Sequence, residues 1–335
     1  MLIQITTDKD HYHPGDAING EVRIELQNAI NAQNVEVQLL GLENAIFGNG
    51  ENTYTEKETI IDENTVLWED SKGGMLGPGI VTFPFSFTLP PGALPTLIPP
   101  TNFQVPDWAA GKGIKKTAFG LAGNITYTLK AWIDKPLVLL EKRAVEVPVL
   151  VRAFPFPHVQ ARHLACNFMH PSRNLKVRVE IDACSIKRGD AITGRIEFWK
   201  HPMIKVRGVT ASLSFQSLAS STRFKGFKNK NGVMTKVSQR TDTIRFPVDP
   251  RGEYFTWEFK LRSVKNGPIT VSGKLVKVRW LLDVQIDLPL KRDPHVSIPV
   301  IVLPITATIE APAPDTVLEI SNEKLELKIK TFQGS

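Results

Sequence analysis

The chain has 335 residues, of which 42% are hydrophobic and 22% charged, enough for two cores of roughly 150 residues each. No run approaches the roughly 20 uninterrupted apolar residues of a membrane span. The start, MLIQITTDKD, has neither a basic segment nor an apolar signal core, so a cytoplasmic protein is expected. The net charge of +7 is unevenly divided: residues 1–150 carry 11 Lys/Arg against 18 Asp/Glu, and the remainder carries 30 against 16. An acidic half (−7) precedes a basic one (+14), a split that bears on partners and not on fold. The only two cysteines, Cys166 and Cys184, sit in no metal-ligand or disulfide spacing and read as reduced thiols.

Taken in order, the first informative stretch is Tyr12-His-Pro-Gly-Asp-Ala-Ile-Asn-Gly-Glu-Val-Arg-Ile-Glu-Leu26. Gly15 tolerates positive φ and Asp16 caps its own turn, so the chain reverses there. Ile18, Val22, Ile24 and Leu26 then fall on one face of a strand. Just ahead of the turn, Asp8, Asp10, His11 and His13 gather, but their spacing fits no metal-ligand pattern and reads as ordinary polar surface. Val35-Glu-Val-Gln-Leu39 is a second alternating strand. Glu43 to Asp70 reads as a loop with eight acids and one lysine.

Phe83-Pro-Phe-Ser-Phe-Thr-Leu-Pro-Pro91 and Ile125-Thr-Tyr-Thr-Leu-Lys-Ala131 continue the alternation. Between them Asp107 to Phe119 is the one helix candidate, weakened by Gly111 and Gly113. Leu137-Val-Leu-Leu-Glu141 fits a clathrin-box pattern, although its place in the strand order suits a strand or turn. Residues 154–173 form a Pro-rich join expected to run extended and outside any ladder.

The opening motif then returns as Ile186-Lys-Arg-Gly-Asp-Ala-Ile-Thr-Gly-Arg-Ile-Glu-Phe198, 174 residues on. Val35–Leu39 lies over Val209–Leu213 at the same offset. Phe85–Leu89 matches Trp257–Leu261 at 172, Tyr127–Pro136 matches Trp280–Pro289 at 153, and Val147–Val149 matches Ile298–Val300 at 151. The chain is a duplicated unit, each half about seven or eight short strands with turn signals between them. That pattern predicts an all-β protein of two antiparallel, immunoglobulin-like sandwiches. The expected layout is a sandwich over 1–153, the join over 154–173, a second sandwich over 174–310 and a tail over 311–335. In the tail, Leu325-Glu-Leu-Lys-Ile-Lys330 alternates cleanly and predicts a late strand outside the repeat.

The order of these blocks resembles the arrestin fold family, over about residues 1–305. Tyr12–Val22, Phe83–Pro91 and Ile125–Ala131 look like its N-terminal domain. Val177–Phe198 and Val276–Val302 look like its C-terminal one. Its members include receptor-desensitising arrestins, arrestin-domain trafficking adaptors, the arrestin-fold subunit of retromer and bacterial sporulation-control proteins. The resemblance implies a non-enzymatic adaptor, without cofactor, that docks membrane cargo or receptor proteins in trafficking or signalling, at the plasma or endosomal membrane. A retromer-like coat subunit on a large scaffold, or a cytosolic regulator with no membrane role, is the alternative. Three features depart from the family. There is no Pro-Pro-x-Tyr for a ubiquitin ligase, the Ser263–Gly273 loop has no Asp or Glu, and the tail strand has no arginine.

Two candidate sites follow. Arg223, Lys225, Lys228, Lys230, Lys236 and Arg240 are six cations with no acid between residues 219 and 240, interleaved with Phe224 and Phe227. They suit an anionic lipid surface or an acidic partner. No RNA- or DNA-binding motif accompanies them, which argues against nucleic acid. Leu325, Leu327 and Ile329 would carry strand addition to a sheet edge. The acidic 43–70 and basic 219–240 segments, equivalent and opposite in sign, either pair across a domain or subunit boundary or form independent surfaces, and the second reading is favoured. No phosphate loop, nucleophile elbow or paired-carboxylate arrangement points to catalysis.

Overall fold

The computed structural model describes residues 1–48, 53–70, 74–98, 122–134, 143–153, 159–160, 163–169, 174–221, 233–289, 293–305, 307, 309–310 and 317–321. Every regular element among them is a strand. In chain order the first nine are β1 (Leu2–Thr7), β2 (Ala17–Leu26), β3 (Ile30–Asn31), β4 (Asn34–Gly48), β5 (Thr53–Glu69), β6 (Met75–Leu76), β7 (Gly79–Thr88), β8 (Gly123–Asp134) and β9 (Arg143–Val149). Next come β10 (Val159–Gln160), β11 (His163–Met169), β12 (Leu175–Ile181), β13 (Ser185–Lys187), β14 (Ala191–Lys200), β15 (Gly208–Ser220) and β16 (Val233–Phe246). The series closes with β17 (Tyr254–Arg262), β18 (Val271–Ser272), β19 (Val276–Asp287), β20 (His295–Leu303), β21 (Ile309–Glu310) and β22 (Val317–Ser321).

The chain divides into two compact units. One comprises Met1–Phe154 with Ser217–Val237 and Val271–Lys277, the other Pro155–Gln216, Ser238–Thr270 and Val278–Ser335. The main sheets run β1-β2-β7 and β5-β4-β8-β9, then β17-β14-β12-β11-β22 and β13-β20-β19-β15-β16 with β18 on β19. The small pairs β3-β6 and β10-β21 complete the set. This is the all-β, antiparallel sandwich class that the alternation predicts, consistent with the arrestin type that the resemblance implies.

The predicted turn forms as its residues require. Gly15 has φ 85° and its counterpart Gly189 has φ 91°, the left-handed region in which a Cβ is penalised. The Asp16 carboxylate accepts the His13 N–H at 2.9 Å. Ile18, Val22, Ile24 and Leu26 are all buried on one face of β2. Gly20, on the same face, leaves the space that the Phe85 ring fills. A Cβ there would lie 2.5 Å from Phe85 Cζ and collide with the Thr6 carbonyl.

β14 repeats this. A Cβ at Gly194 would lie 2.8 Å from Phe259 Cζ and collide with the Glu180 carbonyl. Ladder register makes the duplication quantitative. Ala17 faces Thr88 and Leu2 faces Glu25 in the first copy, and Ala191 faces Arg262 and Lys176 faces Trp199 in the second, each pair 174 residues on. Offsets of 153 and 151 also hold, since Tyr127 faces Val149 where Trp280 faces Val300.

Three expectations are corrected. Phe85 is the counterpart of Phe259 and not of Trp257, because Gly20 faces Phe85 and Gly194 faces Phe259. The sequence offset of 172 slips by two residues, a shift that leaves every side chain on its own face and so is invisible to alternation. The join expected over 154–173 carries β11, which pairs antiparallel with β12 from Leu164↔Ile181 to Met169↔Lys176. The prolines there flank this segment and do not enter it, leaving its donors free for a ladder. Finally, Glu43–Asp70 is no loop: it is the long hairpin of β4 and β5, paired from Asn34↔Glu69 to Gly48↔Thr53.

Candidate interaction sites

The most distinctive site lies inside the first unit, on β4. Leu39, Glu43 and Ala45 share the buried face of this strand, and Glu43 is 1% exposed. Its carboxylate accepts the backbone N–H groups of Lys274 (3.2 Å), Leu275 (2.9 Å) and Val276 (2.6 Å). Three backbone N–H donors satisfy the buried side chain and offset the cost of its burial. Gly273 completes the cradle, since a Cβ there would collide with Glu43 Oε1 and lie 3.0 Å from Leu94 Cδ1. Two further acids of the β4–β5 hairpin bond side chains of the same unit. Ser221 Oγ donates to buried Glu56, and Lys274 Nζ pairs with Glu58. The Glu58 carboxylate raises the Lys274 pKa.

The twin of Glu43 is Ser217, 174 residues on. Its Oγ accepts the Ala122 N–H at 2.8 Å, and Ala122 is itself the counterpart of Leu275 at offset 153. Within each copy one backbone bond recurs at the matching position: Ile46 N donates to Ala122 O at 2.9 Å in the first, and Ser220 N donates to Leu275 O at 2.7 Å in the second. Each copy thus accepts the other's chain at one equivalent position, with an acid in one case and an alcohol in the other. The independence expected of the 43–70 and 219–240 segments is therefore corrected, since the Ser221–Glu56 bond joins them. Sequence reading missed Glu43 because its charge was counted with a loop. An acid at the in-facing position of Leu39-Leu-Gly-Leu-Glu43 was the available signal.

At the first turn, Asp8 accepts the Tyr12 hydroxyl at 2.6 Å and the Asn19 N–H at 3.2 Å. The Tyr12 bond leads the lowering of the Asp8 pKa, while burial, then the Asp8 bond, raises that of Tyr12. His13 Nδ1 lies 3.2 Å from the Ala153 carbonyl. Among the described residues no three His, Cys, Asp or Glu side chains are placed to hold a metal ion.

In the second unit Ser263–Thr270, the part of the acid-free 263–273 loop that belongs to it, is held otherwise. Trp280 Nε1 donates to Pro268 O at 2.9 Å and Arg188 Nη1 to Gly267 O at 3.3 Å. Lys200, fully buried, donates to the Pro250 carbonyl at 2.9 Å and ties β14 to the turn before β17. On β12, Glu180 bonds Arg178 (2.7 Å) and Arg195 (2.9 Å), and the Arg178 bond leads in lowering its pKa. Burial raises the Cys166 thiol.

Of the predicted cations, Arg240 is exposed on β16 and Lys236 lies within the same strand. Arg223, Lys225, Lys228 and Lys230 lie outside the described residues, as do Asp107–Phe119, Leu137–Glu141 and the tail positions Leu325, Leu327 and Ile329. A late strand is present, but at Val317–Ser321, where it pairs in parallel with β11. No helix among the described residues is long and apolar enough to cross a membrane.

Residues 1–152 match the family described as "Arrestin (or S-antigen), N-terminal domain". No curated protein matches the chain.

Proposed function

We propose, for a chain whose residues 1–152 match the arrestin N-terminal domain family, that it acts as an arrestin-like adaptor binding membrane cargo or signalling proteins. The family is generally non-enzymatic and generally binds receptor or cargo proteins. The observation that carries the reading is the family match itself, extended by a second copy of the β1-β2-β7 sheet in the same register. Recognition would be the whole of the mechanism, with sheet faces, edges and inter-strand loops as the binding surfaces.

The basic 223–240 segment is assigned to the anionic contact. Each Lys or Arg near a negatively charged bilayer contributes about 1 kcal/mol, and the attraction decays within a Debye length. Six such residues on a half of net charge +14 support a peripheral membrane role through Arg223, Lys225, Lys228, Lys230, Lys236 and Arg240.

Cosedimentation with neutral and anionic liposomes at two salt concentrations tests this, using the native chain and a Lys225/Lys228/Lys230→Glu variant. The reading predicts salt-sensitive binding to anionic vesicles alone, reduced at least about tenfold in the variant. Absence of binding in every condition overturns the membrane contact and leaves an acidic protein as the partner of this segment.

A further inference from the structure

The two copies of the repeated sheet end on equivalent edge strands, β7 and β17, and these edges differ in chemistry. In the first copy Leu89 N donates to Asp16 O at 2.9 Å. Odd-numbered residues of β7 therefore turn their N–H and C=O toward β2, and even-numbered ones turn theirs outward. Pro84 occupies the middle outward position, where it removes a donor from the open edge and blocks a further strand.

In the second copy Lys200 N donates to Glu253 O and Ser263 N to Asp190 O, both at 2.9 Å. Odd residues again face the neighbour, β14, and even ones face outward. The position of Pro84 is taken by Glu258, and no proline interrupts β17. β17 ends its sheet, with no described strand beyond it. At one end the Arg262 N–H is already taken by Asp242 Oδ2 at 2.8 Å. The open edge is thus delimited to the outward groups of Tyr254, Thr256, Glu258 and Lys260.

We propose that this edge pairs with the same edge of a second copy of the chain, as an antiparallel two-fold ladder centred on Trp257. In that register Tyr254 faces Lys260 of the second copy and Thr256 faces Glu258 of the second copy. Each of the four open residues exchanges both backbone bonds, and no like charges stand opposite one another. Tyr254, 61% exposed, gains an ammonium against its ring. Trp257 is half-buried on a stack of rings, 5.2 Å from Phe246 and 5.4 Å from Phe255, and its counterpart in the second copy extends that stack. Neighbouring registers serve worse. Centring on Glu258 sets carboxylate against carboxylate, and centring on Phe259 needs the N–H that Asp242 holds. Centring on Thr256 calls on Gly252, whose N–H is bonded to Asp249 O at 3.1 Å. The charge pattern and the span of free groups together select a copy of this chain over an unrelated strand.

Sedimentation velocity of the full chain over a concentration series tests the proposal, with E258P and Y254K as variants. E258P copies the proline that the twin edge tolerates and leaves the β14–β17 bonds intact. Y254K sets two ammonium groups opposite each other at both ends of the ladder. The expected result is a reversible dimer in the native chain, with its dissociation constant raised at least tenfold in each variant. Circular dichroism and urea midpoint should confirm the fold of each variant, and Y254K serves if E258P does not fold. A native chain that stays monomeric throughout the series overturns the proposal. So does a dimer that persists unchanged in the folded variants.

Discussion

Glu43 and Ser217 occupy one position of a duplicated strand, yet they hold their neighbours by different means. Glu43 gathers three N–H groups of a turn that only glycine at 273 permits. Ser217 accepts one, from Ala122. The contrast teaches that a repeated backbone need not repeat its fastening. Register is set by the alternating apolar face and by the Gly–Phe contacts common to both copies, whereas the strength of the hold is set by one side chain. A charged acceptor with three donors binds several times more strongly than a neutral hydroxyl with one.

Removing the acid should break the comparison most severely. Glu43→Ala leaves three N–H groups without their acceptor, and about 4 kcal/mol should be lost from the first unit, read as a fall in urea midpoint. Next come the shared glycines. Gly20→Val and Gly194→Val each force side-chain carbons into a fixed carbonyl and an aromatic ring, so each should cost about 3 kcal/mol. Equal losses from the two would sharpen the equivalence of the sheets, and a loss in one alone would end it. Ser217→Ala orphans a single donor and should cost about 1 kcal/mol.

The smallest effect concerns acid. The Glu180 pKa is lowered, chiefly by its bond to Arg178, so its stabilisation is complete above the unfolded value of about 4.3 and fades as pH falls through the lower folded value. The counterpart in the first copy is Thr6, which does not titrate. Arg195 is 48% exposed on its side chain, and solvent screening holds the contribution to about 0.5 kcal/mol. Glu180→Gln should remove that part of the acid loss from the second unit, measured as a flatter dependence of urea midpoint on pH between about 5 and 3.

Much of the fold could be read from residues whose roles are local. Gly15, Asp16, Ile18 and Gly20 and their twins announce turn, strand and duplication, because positive φ and period-two burial leave direct marks in sequence. What escaped depends on partners distant in the chain. Phe85 and Phe259 become equivalent only through the glycines they cover, since a slip of two residues preserves alternation. β11 was obscured by prolines on either side, although Leu164 and Cys166 are buried. Glu43 escaped because a carboxylate is ordinarily solvated. The three donors that justify its burial come from residues 274–276, more than 230 positions away.

Hydrogen–deuterium exchange of the native chain and of Glu43→Gln is the most direct measurement of this account. An amide oxygen at 43 keeps the size of the side chain but loses the charge and one acceptor. The amides of Lys274, Leu275 and Val276 should exchange at least about tenfold faster in the variant, while the Ala122 amide, held by Ser217, stays as protected as before. Unchanged protection at 274–276, or equal loss at both sites, would contradict the claim that the acid on β4 is what fastens this turn.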